Sequence, residues 1–316
     1  MQSKKTLQTH RIALGILLFW ILFSLVGPLL APWEFDDSEN IFFEKIDGEK
    51  VYQFSPMAPS KRHLLGTDTA GYDFLTSLLY GSRYTIFLTL TCALLRTGLG
   101  FLIGSRKALR QEKSGKPLGS NLKQASGKFS FISGLPVFVI IYFIQFGFVF
   151  NSALSPFVMS LIQGSLIVIF GLSTASSFFH DRTAIILEKP FIEAAFSSGG
   201  SKWWVFRHHI VPHLYEDMYI SISQEIIAVL TLIGQLGIFS VFIGGTKFTP
   251  SPPELTSITR EWGGLIGKNM GKLGSSQWWL ILIPIAAFLI LYFSAFFVSR
   301  LLEKEVHKTY HMTSYL

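Results

Sequence analysis

Long apolar runs alternate with short polar stretches along the 316-residue chain. A helix needs about 20 mostly apolar residues to cross the hydrocarbon core of a membrane. A short turn around Asn151 and Ser152 separates two of these runs. The pattern predicts an all-α membrane protein with six transmembrane helices. The predicted spans are residues 12–31, 84–104, 130–150, 154–174, 217–244 and 277–299.

Composition supports the same class. Charged residues make up 15% of the chain and hydrophobic residues 49%, whereas soluble domains carry about 25% charged residues. The net charge of +7 is therefore interpreted through membrane topology rather than nucleic-acid binding. Cys92 is the single cysteine, so a disulfide framework within the chain is excluded. The basic N-terminus leads into an apolar run too long for a signal peptide, which predicts an uncleaved first span.

The distribution of Lys and Arg predicts the orientation of the spans. With the N-terminus in the cytoplasm, the inner segments hold 17 basic residues and the outer segments hold nine. We therefore expect both termini to be cytoplasmic. The predicted organisation is a tail and first helix at 1–31, an extracytoplasmic segment at 32–83 and a core at 84–316. The basic inner loop 105–129 is interpreted as an anchor on the bilayer surface, with a specific binding role as the alternative.

The polar segment 190–214, PFIEAAFSSGGSKWWVFRHHIVPHL, is unusually specific for a connection between two spans. Pro190 suits a first helical turn because its missing N–H has no helical partner there. Gly199 tolerates the backbone angles that a tight turn needs, and Ser201 suits the N-cap of a second helix. Pro212 is expected to end or kink that helix before span five. The pattern predicts a helix–turn–helix along the cytoplasmic face.

This segment resembles the EAA signature of binding-protein-dependent ABC importer membrane subunits. That signature has Glu-Ala-Ala, a Gly six residues after the Glu and a Pro thirteen residues after the Gly. In that family the segment is a coupling helix that docks into a groove on a cytoplasmic ATPase subunit. The resemblance implies that the glutamate meets a basic residue of the ATPase, that the alanines permit close approach and that the glycine allows the turn. An incidental amphipathic loop is the alternative interpretation. The matching positions are Glu193, Ala194, Ala195, Gly199 and Pro212.

A second stretch, LLGTDTAGYDFLTSLLYGSR at 64–83, resembles the segment before span two in the peptide and nickel importers, the dipeptide and oligopeptide permease C-type subunits. Tyr72 stands where that subfamily usually has Arg. A weaker match is REWGGLIGKN at 260–269, which resembles the Trp-Gly stretch of the family's last outer loop. The likeness is poor over 105–150. The matching positions in the second stretch are Gly66, Thr67, Asp68, Gly71, Asp73, Tyr80, Gly81 and Arg83.

The resemblance implies a type I ABC importer transmembrane domain in the bacterial inner membrane. Its function would be to couple ATP hydrolysis by partner ATPases to the uptake of peptides, or of nickel or metal chelates. The implied partners are a homologous second permease subunit, two cytoplasmic ATP-binding subunits, an extracytoplasmic substrate-binding protein and the lipid bilayer, with no nucleic acid. The alternatives are a degenerate permease with a sensing or scaffolding role and an ATP-independent secondary transporter.

No nucleotide site is expected in the chain itself. The stretches SGKP, IGKN and MGKL each lack the upstream Gly of a phosphate-binding loop. We therefore expect no cofactor in this chain, with ATP and Mg²⁺ bound by the partner ATPases. We also expect no enzyme activity, because the spans show no catalytic constellation of Ser, His and Asp, no His-Glu-x-x-His and no paired aspartates.

Three polar residues inside the spans are candidates for the translocation pathway. Arg96 in span two and Glu225 in span five would each cost about 2.5–3.5 kcal/mol at the membrane centre. An ion pair between them would offset part of that cost, and the alternatives are an aqueous pathway or snorkelling of Arg96 to the inner face. Gln235 falls near a position where the family often has Glu. Hydrogen bonding between helices is its alternative role.

Aromatic and histidine side chains within 190–214 are interpreted as interfacial. Trp203 and Trp204 suit a membrane–water interface. His209 and His213 have the i,i+4 spacing of helical metal ligands, but Pro212 lies between them and a third ligand is missing nearby. We therefore expect these histidines at the lipid or ATPase interface.

Overall fold

A computed structural model describes residues 2–46, 49–112, 135–250 and 253–313. Within these residues the fold is helical, with two short antiparallel hairpins. The helices are α1 (Gln2–Val26), α2 (Phe74–Glu112), α3 (Val137–Phe146), α4 (Pro156–Leu187), α5 (Pro190–Ser197), α6 (Lys202–Val205), α7 (Val211–Ile238), α8 (Trp262–Lys268) and α9 (Trp279–Thr313). The strands are β1 (Ile41–Ile46), β2 (Glu49–Phe54), β3 (Thr246–Pro250) and β4 (Pro253–Ser257).

In the described part of the chain, five helical stretches are long and apolar enough to cross a membrane. They include most or all of α1, α2, α4, α7 and α9. The helix in the third predicted position, α3, has only ten residues and is about 15 Å long at 1.5 Å per residue. Residues 130–134 of that predicted span lie outside the described part of the chain. The all-α membrane class is confirmed, with five long helices and a shorter sixth one.

Several helices extend beyond the predicted spans. Helix α2 begins at Phe74 rather than at residue 84, so the last part of predicted segment 32–83 is already helical. Asp73 caps this start, because its Oδ2 accepts the backbone N–H of Thr76 at 2.8 Å. Hydropathy detects only the apolar part of a helix. The first turns of α2 contain polar residues that are buried by other parts of the protein. The hydropathy pattern therefore did not predict them as part of the helix.

Helices α2, α4 and α7 form the centre of the molecule. Helix α2 packs mainly against α4 and α7, and α1 and α9 flank this group. One large apolar cluster runs through all five long helices and includes Trp20, Ile86, Ile167, Val229 and Leu291. Its continuity means that the five long helices share a single core.

Both hairpins lie at one end of this bundle, called here the hairpin end. In β1–β2, Ile41 faces Phe54, and in β3–β4, Thr246 faces Ser257. The predicted turn around Asn151 is confirmed: this residue adopts φ +46°, and its side-chain oxygen accepts the Phe248 N–H at 3.0 Å. The turn between α3 and α4 is thereby attached to β3.

The stretches 64–83 and 260–269, distant in sequence, pack against each other at the hairpin end. The Trp262 indole N–H donates to the Leu78 carbonyl at 2.8 Å, and its backbone N–H donates to Thr85 Oγ1 at 3.0 Å. Gly81 lies directly under the backbone of Arg260. These contacts join the start of α2 to the start of α8.

A substitution at Gly81 tests this close approach. A Cβ at Gly81 would lie 1.9 Å from the Arg260 carbonyl oxygen, whereas Gly98 on the same helix has no neighbouring heavy atom within 4 Å. We expect Gly81→Ala to lower the free energy of unfolding by about 1–3 kcal/mol through overpacking. Gly98→Ala is the matched control and should leave it within about 1 kcal/mol of the wild type. Thermal unfolding of the detergent-purified variants measures both, and equal midpoints would contradict the contact.

Candidate functional site

Segment 190–214 folds as two short helices joined by a turn. Pro190 occupies the first turn of α5, and the Ser201 hydroxyl accepts the backbone N–H of Trp204 at 3.2 Å as the N-cap of α6. These features confirm the predicted helix–turn–helix. Its first helix presents the Glu-Ala-Ala stretch and its second presents the two tryptophans.

The turn between α5 and α6 is a Schellman motif. The N–H of Gly199 donates to the Phe196 carbonyl at 3.0 Å, and the N–H of Gly200 donates to the Ala195 carbonyl at 3.1 Å. Gly199 has φ +86°, a conformation that costs other residues roughly 1–2 kcal/mol. A Cβ on Gly200 would lie 2.7 Å from the Ala195 oxygen. Each glycine is therefore required for a different reason.

The expectation that Pro212 ends or kinks the second helix needs correction. The chain continues from α6 through a π-helical stretch, Phe206–Ile210, into α7, and Pro212 lies in the first turn of α7. The π stretch shifts the hydrogen bonds by one residue, so that the Val211 N–H donates to the Phe206 carbonyl. Proline has no N–H, so it is tolerated in the helical turn that follows a π-helical stretch. Sequence reasoning did not consider this arrangement. The second half of the segment, from Lys202, consequently forms one helical run with span five.

A separate apolar cluster anchors the segment to the rest of the protein. Ile192, Val205 and Ile210 are fully buried and pack with Ala108 of α2 and Ile186 of α4. In addition, Lys202 Nζ donates to the backbone carbonyl of Leu109, near the end of α2, at 2.9 Å. The segment is therefore held against the ends of α2 and α4 on its inward face.

The outward face of the segment is exposed. Glu193, Ala194 and Gly199 are all solvent-accessible, and Glu193 forms no hydrogen bond or ion pair with any residue that the structure describes. Trp203 is 66% exposed and Trp204 45% exposed. A surface that combines one unpaired carboxylate, small residues and two exposed indole rings is suited to contact with another molecule.

The two predicted interfacial histidines are held by the helix itself. His213 Nδ1 donates to the His209 carbonyl at 2.7 Å, and the His213 ring stacks on Phe191 with centroids 5.2 Å apart. The His209 ring packs edge-on against Trp204. These contacts add rigidity to the junction between the segment and α7.

Arg96 and Glu225 meet in the centre of the bundle. Arg96 Nε lies 2.9 Å from Glu225 Oε2, and both side chains are more than 90% buried. An Arg96 terminal nitrogen donates to the Gly171 carbonyl at 3.3 Å, and a Cβ on Gly171 would lie 2.0 Å from the guanidinium carbon. The ion-pair interpretation is confirmed, and burial of Arg96 excludes snorkelling. Gly171, which sequence reasoning missed, supplies the space for the guanidinium.

Gln235 is not part of this charged cluster. It lies ten residues after Glu225 on α7, which corresponds to about 15 Å along the helix, and its side chain is half-buried. A neighbouring contact between Thr97 Oγ1 and Ser221 Oγ, 3.4 Å apart, links α2 and α7 instead. The pathway role of Arg96, Glu225 and Gln235 stays a prediction.

A buried carboxylate at the hairpin end was also missed from the sequence. Glu261 is fully enclosed, immediately before α8, and its Oε1 accepts the Ile243 N–H at 3.4 Å. A Cβ on Gly263 or Gly264 would come within 3.0 Å of this carboxylate, which explains the paired glycines. Burial raises the pKa of the Glu261 carboxyl to about 7, although backbone N–H groups offset part of the rise.

A second buried polar network at the hairpin end is centred on Lys268 of α8. Lys268 Nζ contacts Asp68 Oδ2 at 2.8 Å and Glu254 Oε1 at 3.3 Å, with the lysine and aspartate side chains each 6% exposed. Thr69 also donates to Glu254 Oε1 at 2.6 Å. These buried charges thus connect stretch 64–83 to stretch 260–269 and to strand β4. The signal in the sequence was the presence of Asp68 and Lys268 within the two resembling stretches.

The long apolar helices and the anchored helix–turn–helix between two of them are those of a multi-pass membrane protein. Residues 123–308 match the family described as binding-protein-dependent transport system inner membrane component. Because the match covers more than half of the chain, the chain belongs to this family. The resemblance noted in its EAA stretch is thereby confirmed.

The relatives that match this chain are named as transport system permease proteins. The chain is 24% identical over 297 residues to the oligopeptide transport system permease protein OppC of Mycobacterium bovis, covering 92% of this chain and 89% of that protein. It is 22% identical over 299 residues to the glutathione transport system permease protein GsiD of Pectobacterium atrosepticum, covering 90% and 83%. The similarity therefore extends over nearly the whole chain in both cases.

Removal of one partner of the central ion pair should be strongly destabilising. We expect Arg96→Met or Glu225→Met alone to lower the free energy of unfolding by about 3–5 kcal/mol, because each leaves an uncompensated buried charge. The double variant should recover most of that loss. Arg300→Met, at a pair with 67% and 26% exposed side chains, is the control and should cost at most about 1 kcal/mol. Chemical denaturation in detergent measures all four, and a double variant no better than the singles would contradict the pairing.

The buried Glu261 carboxyl predicts a pH dependence of stability. Its pKa is about 7 in the folded state, against an ordinary value of 4.5, so the folded state binds more protons than the unfolded state between these values. This contribution is fully present below pH 4.5 and is lost as the pH rises to about 7, by roughly 3 kcal/mol in total.

Glu261→Gln should remove that part of the pH dependence and should be more stable than the wild type at pH 8. Unfolding midpoints from pH 4.5 to pH 8 check this expectation. Glu34→Gln, at an exposed position of the same end, is the matched control and should follow the wild-type profile. A Glu261→Gln profile parallel to the wild type would show that the carboxyl does not titrate in this range.

Proposed function

We propose that this chain is the permease subunit of an ATP-driven importer, and that segment 190–214 transmits movement from a partner ATPase to the spans. The observation that carries the proposal is the asymmetry of this segment. Its inward face is anchored to α2 and α4 through Ile192 and Val205, whereas its outward face presents Glu193 without a partner among the described residues.

The helical continuity of the segment with span five supports this role. A partner that displaces α5 and α6 acts on a stretch stiffened by the Schellman turn at Gly199 and by the stacking of His213 on Phe191. The displacement then passes through Phe206–Ile210 into α7 without an intervening loop. Because α7 carries Glu225, movement of the segment would act on the buried ion pair.

The proposed substrate class is short peptides, because the relatives are named for oligopeptide and glutathione transport. Nickel or metal chelates stay the second choice. The proposed assembly contains a homologous second permease subunit, two cytoplasmic ATP-binding subunits that carry ATP and Mg²⁺, and a substrate-binding protein at the hairpin end. The chain itself would perform no catalysis.

This assembly requires a defined orientation in the bacterial inner membrane. Segment 190–214 and both termini would lie in the cytoplasm, and the hairpin end would face outward. The predicted units, 1–31, 32–83 and 84–316, would then be the first span, an outer segment and the permease core. The excess of basic residues in the predicted inner segments supports this orientation.

Two changes in segment 190–214 should uncouple transport. Glu193→Lys reverses the exposed charge, and Gly199→Pro cannot adopt φ +86° because proline is restricted to about −65°. We expect ATP-dependent peptide uptake by vesicles containing the full complex to fall at least about tenfold, while the amount of inserted permease stays at the wild-type level. Glu188→Lys, an exposed reversal five residues earlier, is the control and should keep normal uptake. Normal uptake in both test variants would overturn the proposed coupling role.

A further inference from the structure

A cavity of about 460 Å³ lies beside segment 190–214, between the neighbouring ends of α4, α7 and α9. Its volume is within the range of small-molecule sites, roughly 300–1,000 Å³. Phe178, Ile185 and Ile220 give it an apolar wall. Glu193 is not among its lining residues, so it is separate from the exposed face assigned to the ATPase.

Side chains of both charges line this cavity. Arg182 and Lys189 contribute positive charge, and Asp217 and Glu303 contribute negative charge. With two groups of each sign, the cavity offers little attraction to a ligand of net charge. It is complementary instead to a neutral molecule that carries one cationic and one anionic group.

Asp217 identifies where the cationic group would bind. Its side chain is 2% exposed, and its Oδ1 lies 3.3 Å from Arg182 Nε. The two atoms are not aligned for a hydrogen bond, and this oxygen has no hydrogen-bond partner among the described residues. A buried acceptor left without a donor is destabilising, because it has lost its hydrogen bonds to water. A ligand that donates an N–H to Asp217 would remove that destabilisation.

Glu303 differs from Asp217 because its carboxylate already accepts hydrogen bonds from neighbouring side chains. One of its carboxylate oxygens accepts from the Gln224 side-chain amide at 3.1 Å and from the Ser299 hydroxyl at 3.2 Å. Arg300 lies 3.5 Å from the other oxygen. Among the acidic groups of the cavity, Asp217 is therefore the one that lacks a donor.

We propose that this cavity binds a zwitterion whose primary ammonium group donates to Asp217 and whose acidic group pairs with Arg182 and Lys189. Two sources share this chemistry: the headgroup of phosphatidylethanolamine and a short peptide with free termini. The peptide source rests on the proposed function, whereas the lipid source does not. Since Lys189 directly precedes α5, a bound zwitterion would connect segment 190–214 to α7 and would restrain its movement.

Two ligand series test the proposal and distinguish the sources. The permease is reconstituted in nanodiscs of phosphatidylcholine, whose trimethylated headgroup has no N–H, with or without phosphatidylethanolamine. Separately, alanyl-phenylalanine or its N-acetylated amide is added to the phosphatidylcholine nanodiscs. A ligand that binds only the folded state raises the unfolding midpoint. We expect phosphatidylethanolamine or the free dipeptide to raise the unfolding midpoint by at least about 2–4 °C. Phosphatidylcholine alone and the N-acetylated dipeptide amide should not raise it.

Variants then test whether a rise in the unfolding midpoint comes from binding in this cavity. Asp217→Asn should abolish it, whereas Asp181→Asn, at a 61% exposed acid near the same end of α4, should preserve it. If Asp217→Asn does not fold, Ile185→Trp fills the cavity from an exposed position and leaves the Arg182–Asp217 contact intact, and it should also abolish the rise.

The proposal is overturned if neither ligand raises the midpoint, or if the rise survives Ile185→Trp. The assay measures binding without transport, so its failure leaves the proposed coupling role standing. Conversely, normal uptake by Glu193→Lys and Gly199→Pro would remove the coupling role without affecting a measured zwitterion site.

Discussion

Burial of one guanidinium group determines how the three central helices meet. Arg96 of α2 pairs with Glu225 of α7 and occupies the space left by Gly171 of α4. A charge at this depth is tolerated only where its partners are in place. Sliding any one of the three helices would separate the pair or close the space. The register of α2, α4 and α7, and with it the position of both ends of the bundle, depends on this contact.

Helix α7 connects this contact to the two ends. One end of α7 continues into segment 190–214 through the π-helical stretch. At the other end, Gly237 approaches Gly263 so closely that a Cβ would lie 2.5 Å from the Gly263 carbonyl oxygen. Gly263 belongs to α8, beside the enclosed Glu261. One helix thus connects segment 190–214, the central ion pair and the hairpin end.

Different interactions stabilise segment 190–214 and the hairpin end. Segment 190–214 rests on its own apolar cluster, which is separate from the main core. The hairpin end is held by buried charges, Lys268 with Asp68 and Glu254, whose geometry is directional and whose loss is costly. Apolar packing therefore holds segment 190–214, whereas directional buried charges hold the opposite end. The cavity lined by Asp217 lies beside segment 190–214.

The sequence by itself determined the membrane class, the family and the helix–turn–helix, because hydropathy, the EAA spacing and the capping residues Pro190, Gly199 and Ser201 act locally. It also placed Arg96 and Glu225 inside spans, but left pairing, pathway and snorkelling open. Only the tertiary structure showed the pairing and the burial that excludes snorkelling, since both depend on the space left by Gly171 of a third helix. The same holds for the glycines at 81 and 263, for the enclosed Glu261 and for Asp217: their roles come from neighbours far away in the chain. Pro212 lies in the first turn of α7 because the preceding π-helical stretch shifts the hydrogen bonds by one residue. The residue types alone did not predict this shift.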